Sequence, residues 1–226
     1  MCGRKSTRMI SAKYTIAFVM SKRQTASVAA VSILKEGADM ADLNKALKKL
    51  WGVEFSNRTD LMLHNVKGDT GGMTYKGIAR NHHPGWKGWA FIDANPNAHT
   101  LEKNEALRSM VEQFYLVNFW EPIKGDKIMY QATAEEIFLS AVNIGIKKAC
   151  MLAQEVSAVK IDGVIGDKSI SAINAMTPDA FCEKYTELEM KYYESIVERK
   201  PEQGKFLKGW IARANIINGD NAAKIV

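Results

Sequence analysis

GDTGGMTYKGIARNHHPGWKGW, residues 68–89, sets glycine at 68, 71, 72, 77, 85 and 88 around one acid, Asp69, two threonines, Thr70 and Thr74, and one tyrosine, Tyr75. Glycine removes the side chain where backbone must turn tightly or lie against something else. With polar neighbours through 55–80, the stretch reads as a hairpin lobe rather than a helix. What flanks it reads the other way. In LNKALKKLWGVEF, residues 43–55, Leu43, Ala46/Leu47 and Leu50/Trp51 recur every three or four residues, the period of an amphipathic helix. Gly52 weakens that helix, and Glu54 stands at or just past its end. The expected fold is therefore mainly α, of α+β type: a helical bundle with a small glycine-rich β-hairpin lobe beside the first helix.

Downstream, helical patterns dominate. A helix is expected over Glu102–Asn118, with Leu107, Val111, Phe114 and Tyr115 on one face, after a loop from Pro84 to Asn97. Thr133 and Glu136 have capping-box spacing, ahead of one long buried helix ending near Val156. The segment KIDGVIGDKSISAINA carries tight turns at Asp162–Gly163 and Gly166, and Asp167 can cap a short helix. Thr177–Pro178 opens another helix, with proline at the tolerated first position; Pro201 stops it, and a last helix covers Phe206–Ile217. The expected organisation is a basic N-terminal extension without regular structure (1–39), a lysozyme-like region (40–130) and a helical region (131–226) packed with it as one unit.

Composition excludes several classes. The 226 residues are 46% hydrophobic and 25% charged, ordinary globular values. The apolar run YTIAFVM, 14–20, is too short to cross a bilayer or to serve as a signal-peptide core. The chain is thus expected to be made in the cytoplasm without an export signal and without stable membrane insertion. Of the net charge of +6, residues 1–39 hold +5 and the remainder only +1. A basic arm on a near-neutral body argues against a nucleic-acid partner and suits an anionic wall surface. Three cysteines, Cys2, Cys150 and Cys182, make an odd count without metal-ligand spacing, and the latter two read as buried thiols. His82 and His83 are adjacent, so their side chains diverge, and no third ligand is spaced to join them. No metal and no organic cofactor is expected, and the protein is expected to be a monomer.

A helix ending in a glutamate, followed by a hairpin bearing an acid and a threonine, suits glycoside hydrolysis. One carboxylic acid donates a proton to the leaving oxygen while a polar group across the sugar steers water or attacks. Partial burial and the negative end of the helix would both favour the protonated form of such a glutamate. Each residue also has a plainer reading: Glu54 as a surface acid, Asp69 as a turn former, Thr74 as a cross-strand residue. Trp86 and Trp89 fit either core anchors or sugar platforms.

The motifs together resemble the glycoside hydrolase family 108 muramidases, phage-type lysozymes often joined to a small peptidoglycan-binding region. Asp69, Gly71, Gly72, Thr74, Gly77 and Ile78 follow that family's D-x-G-G-x-T-x-x-G-I in order. NFWEPIKGDKI, Gln131, AVNIG, LAQEVSAVKIDGVIGDKSISAINA and FLKGWIARAN resemble its later segments, so that the likeness runs over roughly 40–215. It implies cleavage of the β-1,4 bond between N-acetylmuramic acid and N-acetylglucosamine. By that resemblance Glu54 is the general acid, and Asp69 and Thr74 steer water or stabilise charge. Gly71 and Gly72 let the backbone approach the glycan, with Tyr75, Trp120 and Asn143 as groove residues. Asn143 also fits an inward polar group capping local backbone. The family places its glutamate closer to the Asp-x-Gly-Gly turn, where this chain has Asp60, so Asp60 is the alternative acid. DGVIG is either a wall-binding element or a turn within one fold. The expected partner is bacterial peptidoglycan, reached through a holin or other pore, as for a phage or prophage endolysin. The alternatives are a non-catalytic peptidoglycan-binding protein on a degenerate lysozyme fold and a chitinase-like glycosidase.

Overall fold

The computed structural model describes residues 40–55, 63–65, 71–94, 101 and 103–217, without the side chains of 54, 55, 216 and 217. Asp60, Asp69 and the whole 1–39 extension lie outside the described residues, so the expectations placed on them stand as made.

The first helix, α1 (Leu43–Phe55), continues through Gly52 to include Glu54 in its last turn. Asp42 begins it, its carboxylate accepting from the Lys45 amide at 3.0 Å. Gln131 then ties that start to the bundle. Its side-chain oxygen accepts from the Asp42 amide at 2.8 Å, and its amide donates to the Asp42 carbonyl at 3.1 Å. Three short antiparallel strands follow: β1 (Leu63–His64), β2 (Thr74–Tyr75) and β3 (Ile78–Ala79), in that order across the sheet. Leu63 pairs with Tyr75 and Thr74 with Ala79. The β2–β3 turn is Lys76–Gly77, both with positive φ (45° and 81°), the pattern of a two-residue hairpin turn that matches strand twist.

The expected Pro84–Asn97 loop contains a short helix, α2 (Gly88–Ala94). Trp89, buried, donates its indole N–H to the His83 carbonyl at 2.8 Å, and that bond organises the approach to α2. The next helix, α3 (Glu105–Tyr115), starts three residues later than periodicity suggests, because the Asn104 side chain caps it by accepting from the Leu107 amide at 3.0 Å. It runs on as a π-helical turn over Leu116–Trp120. The four apolar residues expected to face inward, Leu107, Val111, Phe114 and Tyr115, are all buried.

The long helix expected through Val156 is two: α4 (Gln131–Ile144) and α5 (Ile146–Val156). Gly145 divides them at φ 88°, ψ 147°, backbone that a side chain would strain badly. The expected capping box is absent, since α4 begins two residues before Thr133. Spacing of three also places two residues on one helix face, and here that face is buried: Thr133 and Glu136 point toward the bundle interior.

Helix α6 (Asp167–Ile173) has Gly166, not Asp167, at its cap. Asp167 instead lies within 3.5 Å of the Lys124 and Lys127 ammonium groups. Helix α7 (Pro178–Arg199) starts as expected, Thr177 Oγ1 accepting from the Ala180 amide, and ends before Pro201. A short 3-10 turn leads to α8 (Gly204–Ile217). Helix α4 packs against α1, α5 and α7, while α8 lies along α7 and also meets α4 and α1. The core between them is built on Leu50, Ile78, Leu107, Ile137, Phe138 and Phe181. Cys150 and Cys182 are buried free thiols, and burial pushes them up to about 11 and about 12. The outcome is a mainly helical protein carrying a small three-stranded sheet.

Candidate active site

Helix α1, the hairpin and helices α3, α4 and α8 enclose a cleft of about 440 Å³. Leu50 and Trp51 form its α1 side, Thr74, Lys76 and Gly77 its hairpin side, and Tyr115, Asn143 and Arg213 close it. Glu54 follows Leu50 and Trp51 by four and three positions, the spacing of one helix face. The hairpin is held against α3 by a bond from the Tyr115 phenol to the Lys76 carbonyl at 2.7 Å. Tyr115 and Trp51 meet edge to face at 5.2 Å between ring centres, so the two sides of the cleft share one aromatic contact.

Thr74 is where the sequence places a site hydroxyl. It is nearly buried at the cleft wall, and its Oγ1 donates to the Gly72 carbonyl at 3.1 Å. Gly71 is buried, and its carbonyl accepts from the Asn81 amide at 3.0 Å. Gly72 lies so close to the Asn81 side chain that an added Cβ would stand 2.9 Å from its nitrogen. These two glycines thus serve the internal closure of the lobe. Glu54 has its backbone in place but its side chain outside the described set, as is Asp69 entirely.

Two expected groove residues sit elsewhere. Trp120 is 0% exposed: its indole N–H donates to Asp126 at 2.6 Å and its ring packs edge-on to Phe138 and directly over Gly125. It is the last residue of the π-helical turn. Tyr75 is 2% exposed and stacks on Trp86 at 6.3 Å. Successive strand residues point to opposite faces, so when Thr74 faces the cleft Tyr75 must face the core. Neither side chain reaches the cleft. Asn143 does: it is exposed on the wall, its Nδ2 bonded to the Tyr193 hydroxyl.

Among the described lining residues the permanently charged groups are Lys76 and Arg213, and none is acidic. The Lys76 ammonium lies 5.5 Å from the centre of the Trp51 ring. His64 lines the same wall. Behind Asn143 lies a buried acidic layer between α4 and α7. Thr186 donates to Glu136 at 2.9 Å, and Tyr193 donates to Glu189 at 2.9 Å. Burial lifts Glu136 to about 8, with Thr186 opposing and the nearby Glu189 charge adding; burial also raises Glu189.

Trp51, Lys76, Tyr115 and Arg213 were not expected from the sequence to line the cleft. Arg213 had a signal, since it closes the GWIAR run of the last helix. Trp51 had one too, one turn ahead of Glu54. Of the aromatic pair at 86 and 89, Trp89 is a core anchor. Trp86 is half-buried, its indole N–H donating to the Met110 carbonyl at 3.3 Å. His83 packs its ring against Phe114, and burial lowers its pKa.

The chain shares its fold with the solved structure of Brucella abortus SagA, at a TM-score of 0.55 and 20% identity over 78% of this chain and 91% of that one. No curated protein matches the chain at a significant level. The family described as glycosyl hydrolase 108 matches residues 62–145, and the family described as a predicted peptidoglycan domain matches residues 146–215. The border between them falls at Gly145, where α4 breaks from α5. Glu54 and Asp60 both precede the first match. Arg213, which closes the cleft, belongs to the second. Residues 62–145 thus match the glycosyl hydrolase 108 family and residues 146–215 a predicted peptidoglycan domain, and together the two matches support a glycoside hydrolase that acts on peptidoglycan.

Proposed function

We propose that the protein is an N-acetylmuramidase of lysozyme type, cutting the β-1,4 bond between N-acetylmuramic acid and N-acetylglucosamine. The observation that carries this reading is the shared cleft. Its one wall is the helix that leads to Glu54, and its other is the strand that bears Thr74. In the proposed reaction Glu54 protonates the leaving glycosidic oxygen. Asp69 and Thr74, from the hairpin, hold water or stabilise positive charge on the opposite face of the sugar.

The organisation proposed with it is a catalytic region over 40–130 packed as one unit with 131–226, behind a basic 1–39 extension. The substrate lies outside the cytoplasmic membrane, so the proposed setting is a phage or prophage endolysin released through a holin or other pore. Expression with and without a co-expressed holin, followed by culture turbidity, tests that setting.

The chemistry is tested on purified bacterial walls with the intact protein, Glu54→Gln and Asp60→Asn. Clearing by the intact protein and by Asp60→Asn, with at least a hundredfold loss in Glu54→Gln, is expected. Loss in Asp60→Asn alone moves the acid to Asp60. Wall binding without clearing by the intact protein replaces the hydrolase with a binding protein, and hydrolysis of chitin oligomers in preference to walls replaces it with a chitinase.

A further inference from the structure

The second family segment reaches into the cleft by a route other than Arg213. On α7, Glu189 and Tyr193 are one helical turn apart and both buried. The Tyr193 hydroxyl has a single proton and gives it to Glu189 Oε1 at 2.9 Å. At the same hydroxyl oxygen, Asn143 Nδ2 donates across from α4. The order of donors is therefore set from the buried end. Ionised, Glu189 only accepts, so the tyrosine donates to it and the asparagine donates to the tyrosine. With its NH2 turned inward, Asn143 offers the cleft its other end, the carbonyl Oδ1. Ser140 of α4 and Arg213 of α8 lie near the same carboxyl, and both oppose the rise that burial gives its pKa.

We propose that Tyr193 and Glu189 are positioning residues that fix the Asn143 amide, so that its Oδ1 accepts from a neutral hydrogen-bond donor of the glycan, a sugar hydroxyl or an acetamido N–H. An exposed asparagine that rotates freely must lose that freedom on binding, and it offers the wrong end half the time. A clamped one has lost it already, which is worth about three- to tenfold in affinity. The segment 146–215 is on this account part of the cleft as well as of the bundle. The inference rests on the glycan reading of the cleft, though not on cleavage.

The test is a double-mutant cycle on the full chain with Asn143→Ala, Tyr193→Phe and their combination, using soluble N-acetylglucosamine–N-acetylmuramic acid oligomers. Kd is read by calorimetry, and kcat and KM by release of reducing ends. Each single variant is expected to raise Kd and KM about three- to tenfold with kcat within about twofold, because the contact binds rather than reacts. The combination is expected to be no weaker than Asn143→Ala alone. Factors that multiply in the combination, or a fall in kcat at unchanged KM as from loss of folded protein, overturn the proposal. Glu189→Gln still accepts from Tyr193 and is expected to bind like the intact protein, whereas Glu189→Leu is expected to match Tyr193→Phe. That pair repeats the reading should Tyr193→Phe fold poorly. Oligomers lacking the acetyl groups separate the two donor types: an unchanged Asn143→Ala penalty assigns a hydroxyl, and a vanished one the acetamido N–H. Binding without cleavage removes the hydrolase reading and leaves this one readable in Kd, whereas no binding by the intact protein overturns both.

Discussion

The phenol of Tyr115 donates to the carbonyl of Lys76 at 2.7 Å, joining α3 to the hairpin tip across 39 residues of chain. Tyr115 also lines the cleft, so this one bond sets how the hairpin stands over it. Tyr115→Phe keeps the ring contacts with Trp51 and Phe138 and removes only the oxygen. A stability loss of about 1–2 kcal/mol is expected, measured by urea unfolding. KM for wall fragments is expected to rise more than kcat falls, since the hairpin is loosened and its chemical groups remain. An unchanged urea midpoint would show that the bond is replaced by water at no cost.

The same contact makes Gly77 sensitive. Its φ is 81°, and an added Cβ would stand 2.7 Å from the Tyr115 oxygen. Gly77→Ala is expected to cost about 2–4 kcal/mol, part from left-handed backbone and part from collision. In the Tyr115→Phe background the colliding atom is gone, and only the backbone share of about 1–2 kcal/mol is expected to remain. Denaturant unfolding of the four proteins measures the coupling directly. Additive losses would mean that the phenol moves aside freely.

Helix faces were legible because their period is local. Leu107, Val111, Phe114 and Tyr115 were readable as one buried stripe, and the Thr177–Pro178 start follows from two adjacent residues. The errors lie where one spacing serves two purposes. Three residues separate the members of a capping box, and three also separate neighbours on a buried face, so Thr133 and Glu136 read as a cap when they are interior. Gly145 breaks the long helix through its backbone angles, for which an apolar face on both sides of it gives no warning. The glycine run was legible as a hairpin lobe, and Thr74 on it lines the cleft. Trp120 and Tyr75 were misplaced because a motif carries residue types but not the direction in which a π-helical turn or a strand pleat aims them. The contribution of α8 depends on a contact between distant parts of the chain, which spacing cannot show.

Glu136 makes stability depend on pH. Burial raises its carboxyl from an ordinary value near 4.5 to about 8. Below about pH 4.5 it is protonated in both folded and unfolded chains and contributes nothing to the dependence. Between there and pH 8 the unfolded chain ionises while the folded one keeps its proton, so stability falls as pH rises, by on the order of a few kcal/mol in all. Glu136→Gln is the same size, still accepts from Thr186 and does not titrate. Relative to this variant, the intact protein is expected to lose thermal stability from pH 5 to pH 8. Glu189, also raised, leaves a residual slope of the same sign in the variant. Melting curves at pH 5, 6.5 and 8 decide it, and parallel pH profiles for the two proteins would contradict it.

Gln154 holds the DGVIG turn from within. Its Nε2 donates to Asp162 Oδ1 at 2.8 Å and to the Val164 carbonyl at 3.0 Å. Its Oε1 accepts from the Asp162 and Gly163 amides at 3.0 and 2.8 Å. The turn, thus tied, presents Ile161 and Val164 to solvent, the latter 70% exposed. Gln154→Glu has the same shape but cannot donate when ionised, and it sets a buried carboxylate against that of Asp162, itself held below its usual range by these hydrogen bonds. The loss of two donated bonds at a buried side chain is expected to cost about 3 kcal/mol or more at neutral pH. Because the break is local, limited proteolysis within 160–166 is expected to accelerate at least tenfold, ahead of global unfolding. On acidification the introduced carboxyl gains a proton and can donate again, so its stability deficit should narrow toward pH 4. A deficit independent of pH would place the cost in packing rather than in the lost hydrogen bonds.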